Sequence, residues 1–195
     1  MSAVPPLSRR VLTALRPTTP TTGLGDEGRT SVARAFVRVD AALEAHLAAL
    51  IDLDRIEEAV VTMHGYPRVP LQNRSGTPDY AADAATIMRC LGPGPTARRL
   101  TAELCRRQKI FAQAAAAAGL GTARAQEART ARELSDAASH LLLAPAEARA
   151  DLALKLAVLI AAGEKAADDA LTFPWLYLRA LHADLCGDQQ IGRHR

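Results

Sequence analysis

The stretch from Ser31 to Met63 contains neither glycine nor proline. A single uninterrupted helix there would be about 50 Å long at 1.5 Å per residue. Written as heptads, one row reads Val32, Val39, His46, Leu53, Val60 and the other Phe36, Leu43, Leu50, Glu57, His64. The apolar members are Val32, Phe36, Val39, Leu43, Leu50, Leu53 and Val60. They form a seam suited to one leg of a helical hairpin or to a short coiled coil, and make a candidate self-association surface. Composition supports helix throughout. Ala supplies 41 residues and Leu 26, against 15 for Val plus Ile, and aromatics make only 4% of the chain. Such an apolar set favours helices over a sandwich or a parallel sheet.

The rest of the chain is punctuated by proline and glycine. Ser8 to Leu15 suits a short helix, and the Thr/Pro/Gly run up to Gly28 has linker composition, so residues 1–30 are expected to be a flexible arm. Gly65 to Asp79 reads as a loop. Thr77-Pro78 then resembles an N-cap followed by proline at N1, opening a helix to about Leu91. Gly92-Pro93-Gly94-Pro95 breaks the chain before a helix to Ala118, with Leu100, Leu104 and Phe111 on one face. Gly119-Leu120-Gly121 separates it from a helix ending near Leu143, an antiparallel pair. Pro145 to Ala162 is the most apolar helix and is expected to be the most buried. The last helix, after Pro174, carries a Trp175, Leu178, Leu181, Leu185 stripe. The expected fold is all-α, with five or six helices: one long N-terminal helix packed with antiparallel helix pairs. It forms a single domain over 31–187, with a polar tail over 188–195.

Motifs that would carry chemistry are weak. Gly23-Leu24-Gly25-Asp26-Glu27-Gly28 and Gly92-Pro93-Gly94-Pro95-Thr96-Ala97 fit the dinucleotide fingerprint by letter. The first lacks a preceding strand and would set two acids against a pyrophosphate; the second loses amide donors to proline. His182 and Cys186 have a two-ligand spacing without a second pair, so no metal or cofactor is expected. Asp168-Asp169 and Glu57-Glu58 are adjacent carboxylates that point different ways on a helix. His46 on the seam suits a hydrogen-bonded core edge that could titrate near neutrality. Three scattered cysteines, Cys90, Cys105 and Cys186, suit free thiols in a reducing cytoplasm. The longest stretch without charge, Ile110 to Ala123, is too short to cross a bilayer, and no membrane association is expected.

Charge is unevenly placed. Residues 1–97 carry ten basic and ten acidic groups, whereas residues 98–132 carry eight basic groups against Glu103 and Glu127. At about 100° per residue, Arg98, Arg99, Arg106 and Lys109 share one helix face opposite Leu100, Leu104 and Phe111. That face suits phosphate backbones or an acidic partner. Phe111 is the only aromatic near it in sequence and lies on the core side, so no base-stacking platform is expected.

Ala144-Pro145-Ala146, Leu152-Ala153-Leu154-Lys155-Leu156, Phe173-Pro174-Trp175 and the apolar run from Leu178 to Leu185 span about 45 residues. Together they resemble the C-terminal part of small proteobacterial helical proteins of no assigned function. In that pattern a Thr-Pro-Ala start opens a helix with a Lys-Leu pair, and Ala144 stands where the threonine would cap it. The resemblance implies a bacterial, intracellular, helical protein and no activity. The residues thus point first to a non-enzymatic protein–protein interaction or structural module, engaging a partner or itself through the long helix. A nucleic-acid accessory using Arg98, Arg99, Arg106 and Lys109 is the second reading. An enzyme whose site forms only in three dimensions, around His182, Cys186 and a carboxylate, is the third.

Overall fold

The computed structural model describes residues 9–15, 30–72, 78–164 and 167–187. The protein is all-α with one small hairpin. Its helices are α1 (Arg9–Leu15), α2 (Ser31–His64), α3 (Ala84–Leu91), α4 (Pro95–Ala117), α5 (Leu120–Leu143), α6 (Arg149–Gly163) and α7 (Trp175–Gly187), with a 3₁₀ turn at Ala167–Leu171. Strands β1 (Val69–Gln72) and β2 (Pro78–Ala81) pair antiparallel, Val69 opposite Ala81 and Pro70 opposite Tyr80. Two compact units are present, where the sequence suggested one domain over 31–187. The first comprises the described residues of Met1–Ala48 and Ala128–Arg195; the second is Ala49–Glu127.

In the first unit, Val32, Phe36, Val39 and Leu43 of α2 lie in a core with Leu134, Ala138 and Leu141 of α5 and Ala157, Val158 and Ala161 of α6. The first four members of the expected self-association seam therefore face the chain's own core. Val60 is also buried, while Leu50 and Leu53 are half-buried. An apolar stripe looks the same in sequence whether its partner is another copy or the chain's own helices, and here the chain supplies the partner. Leu12 of α1 is buried in the same core, so an anchored helix stands within the expected flexible arm. Residues 1–8 and 16–29 of that arm, with the glycine motif at 23–28, and the tail at 188–195 lie outside the described residues.

Helix α6 contributes Ala153, Ala157, Val158, Ile160, Ala161 and Ala162 to the interior. Small side chains let neighbouring helices come close. At Gly163 a Cβ would lie 1.7 Å from Trp175 Cη2, so the indole of α7 packs where any side chain would stand. The helix begins at Arg149, not at Pro145, because its cap lies further on. Asp151 Oδ2 accepts from the Glu147 and Ala148 amides at 2.9 and 3.1 Å, satisfying N–H groups that a helix start leaves open. Its other oxygen accepts from Thr30 Oγ1 at 2.6 Å, and Thr30 in turn accepts from the Ala33 amide at the start of α2. One carboxylate and one hydroxyl thereby join two helix N-termini.

In the second unit, Val69, Leu71, Ala81, Ile87, Ala97 and Leu104 form a small core. The hairpin replaces the expected loop and the expected start of a helix at Thr77-Pro78: Pro78 begins β2. A two-stranded sheet has only edges, so prolines at 70 and 78 are tolerated there. Helix α3 starts instead after Asp83, whose carboxylate accepts from the Thr86 amide and hydroxyl at 2.7 and 2.9 Å. Gly119, at φ +76°, makes the left-handed turn between α4 and α5 that a side chain would oppose.

Candidate interaction surfaces

Helix α4 carries Arg98, Arg99, Arg106, Arg107 and Lys109 against Glu103 alone, five positive charges to one negative. Its inner side is fixed by buried Ala97 and Leu104, and Arg98, Arg99, Arg106 and Lys109 are exposed on the far side. Sequence placed these four correctly on one outward face. It missed how Glu103 divides its two neighbours. Arg106 donates to both Glu103 oxygens at 2.9 Å, and Arg107 Nε donates to Oε1 at 2.8 Å. These two arginines hold the Glu103 carboxyl below its ordinary range. Arg107 also donates to the Arg68 carbonyl at 3.0 Å, and Gln108 to the Ala82 carbonyl at 3.1 Å, so α4 holds the chain just before β1 and just after β2.

Beside the hairpin, Arg68 gathers two aromatic rings. The Arg68 guanidinium lies 4.3 Å from the Tyr80 ring centroid and 6.0 Å from that of Tyr66. Tyr66 is 61% and Tyr80 46% exposed. Tyr80, opposite Pro70, stands on the hairpin face turned away from buried Val69, Leu71 and Ala81 and so away from the core that these residues share with Ala97 and Leu104 of α4. Phe111 is the nearest aromatic along α4; the hairpin pairing carries Tyr80 opposite Pro70, and Tyr66 lies just before β1. The alternation Val69-Pro70-Leu71 was the one local signal for it.

Helix α7 has the opposite character. Leu176, Tyr177, Ala180 and Leu181 share one side of it and are all exposed, as is Phe173 in the turn just before it. Phe173 is 83% and Tyr177 65% exposed, and their rings meet edge to face with centroids 6.1 Å apart. Of the expected apolar stripe, Trp175, Leu178 and Leu185 are half-buried and Leu181 faces outward. The inward side of α7 is partly polar. Glu164, buried just past α6, receives two bonds of 2.5 Å from Arg179. This pairing is the leading cause raising the arginine's pKa, against the opposing effect of its burial. His182 is buried, and desolvation lowers its pKa; a hydrogen bond to the Leu15 backbone opposes that effect, and the charge of Arg179 reinforces it. Arg149 donates to the Asp184 carbonyl, linking α6 to α7 a second time.

Cys186 Sγ lies 3.8 Å from His182 Nε2, a loose contact between residues one turn apart. The buried Glu164 carboxylate is engaged by Arg179. Among the described residues, no group of three or more His, Cys, Asp or Glu is arranged to hold a metal. His46 is buried, with Nδ1 3.2 Å from Thr130 Oγ1, a hydrogen-bonded core histidine. Glu57 pairs with Arg124 at 2.9 Å. No helix among the described residues is long and apolar enough to cross a membrane. Compared with known protein families, curated proteins and solved structures, the chain matches none.

Proposed function

We propose that this chain is a non-enzymatic interaction module that holds a protein partner against the outward stripe of α7. The observation that supports the reading is the orientation of that helix: large apolar side chains face solvent while Arg179 and His182 face inward. Aromatic residues are scarce here, three Phe, three Tyr and one Trp, yet Phe173 and Tyr177 stand together in the open. Aromatic anchors are enriched at the centres of protein interfaces, and a helix laid in a partner's groove is read at this spacing. The partner role thus moves from the α2 seam, which the chain covers itself, to α7. Free cysteines at 90, 105 and 186 suit a reducing cytoplasm, and the C-terminal resemblance suits a bacterial one.

Replacing Phe173 or Tyr177 by the photo-crosslinker benzoylphenylalanine in the native host tests this. A discrete adduct is expected from both positions and not from Val37, an exposed apolar residue on α2. An adduct of twice the chain mass would identify a second copy as the partner. Absence of any adduct from 173 and 177 would overturn the reading.

A further inference from the structure

We infer that the partner docked on α7 is a second copy of this chain, its own α7 set antiparallel across a two-fold axis, and this rests on the reading of α7 as the docking helix. The exposed side of α7 has the same plan in both directions. Tyr177 and Ala180 stand at equal distances from the point midway between them, and so do Leu176 and Leu181. At about 100° per residue, the members of each pair also lie at equal angles on either side of one outward line of the helix. Reversing the helix therefore brings Tyr177 level with its partner's Ala180 and Leu176 level with its partner's Leu181. Both contacts recur on the other side of the axis, as an isologous interface requires. A large ring beside a small methyl group lets the two helices come close. Asp184 is the only charged residue among the described exposed positions of α7. It falls at the outer end of the pairing, where interfaces keep their polar rim.

The exposed area reaches what a dimer needs. Phe173 is 83%, Leu176 46%, Tyr177 65% and Leu181 50% exposed. At about 200 Å² for a whole residue of this size, about 500 Å² is open to water on each chain. Covering it on two copies removes about 1,000 Å², the least at which a specific interface forms. Repulsion across the axis is small. The two Asp184 residues stand about 16 Å apart along the helix direction at 1.5 Å per residue, beyond the screening length of about 8 Å in physiological salt. An unrelated protein with an apolar groove is the competing occupant. It would have to be shaped to this row, whereas a second copy brings the matching row by reversal alone.

The test is sedimentation equilibrium of the full chain from about 1 to about 200 µM, a range suited to an interface of this size. The mass is expected to rise from that of one chain toward that of two. Leu176→Asp and Leu181→Arg should each weaken association roughly tenfold or more, because each sets an unpaired charge against leucine in the seam. Mixed in equal amounts, the two variants should associate again, since the antiparallel register sets each new charge level with its opposite. Circular dichroism checks that each variant is folded. Tyr177→Glu, at a more exposed position of the helix, should also give monomers and provides the reading if either leucine variant is not folded. A monomer at every concentration overturns the inference, and so does a dimer that all three variants leave intact, or folded leucine variants that stay apart on mixing. The docking role of α7 fails separately, when benzoylphenylalanine at 173 and 177 yields no adduct in the host. An adduct there with a different protein keeps that role and overturns the second copy.

Discussion

All the buried polar and charged residues described, His46, Thr130, Asp151, Glu164 and His182, belong to the first unit, and the second unit has none. The first unit encloses the His46–Thr130 and Asp151 hydrogen bonds and the Glu164 carboxylate that Arg179 pairs, although its Arg129–Glu133 pair lies at the surface. The second keeps a small apolar interior and leaves its charges, Glu103 with two arginines among them, at the surface. The difference teaches which forces each can respond to. Enclosed polar groups cost free energy when a partner is removed, because water cannot replace it. Surface pairs are screened and contribute little to stability, but they remain available to a charged ligand.

The sharpest contrast should come from the enclosed ion pair. Arg179→Ala leaves Glu164, 2% exposed at its side chain, as an unpaired buried anion, at a cost of about 3–5 kcal/mol. Trp175, the single tryptophan, reports this through fluorescence in a urea titration. A loss under about 1 kcal/mol would mean that water reaches the carboxylate and that the pair behaves like a surface one.

Ile87→Ala, the apolar counterpart in the second unit, removes a fully buried side chain. It should cost about 3 kcal/mol through lost burial and the cavity left behind. Hydrogen exchange should show lost protection centred on residues 69–104. If protection is unchanged there, that small core does not hold the hairpin to α3 and α4.

Thr30→Ala removes the cap of α2 and one bond to Asp151, for about 1–2 kcal/mol. Chemical denaturation measures it, and Thr30→Ser should recover most of the loss. Failure of the serine variant to recover it would place the contribution in the methyl group rather than in the bonds.

The smallest effect is also the most selective. His182 has a folded pKa below 6.5, so between those two values the unfolded chain binds a proton that the folded chain does not. Stability from this group is therefore complete above 6.5 and lost as pH falls toward the folded value. Glu103 and Asp83 are also lowered, from 4.5 and 3.8, so their contributions fade only in more acidic solution. Lowering pH from about 6.5 to about 5 should shift the Trp175 urea midpoint downward, and His182→Asn should remove that shift. A wild-type midpoint that stays level over this interval would mean that His182 is solvated.

Local sequence determined most of the helices. Glycine and proline positions bound α2, α4 and α5 within a residue or two, since backbone propensity acts through neighbours along the chain. The outward basic side of α4 was equally legible, because helical spacing alone sorts Arg98, Arg99, Arg106 and Lys109 from Leu100 and Leu104. The start of α6 was misplaced because its cap comes from Asp151, inside the helix, and the hairpin was missed because four-residue strands interrupted by proline carry almost no periodic signal. Only tertiary structure decided which stripe finds a partner within the chain. The α2 seam and the α7 stripe are both apolar rows at helical spacing, yet Val39 is enclosed and Leu181 stands in the open. Burial depends on which surfaces the folded chain brings together, and spacing along one helix does not contain that information.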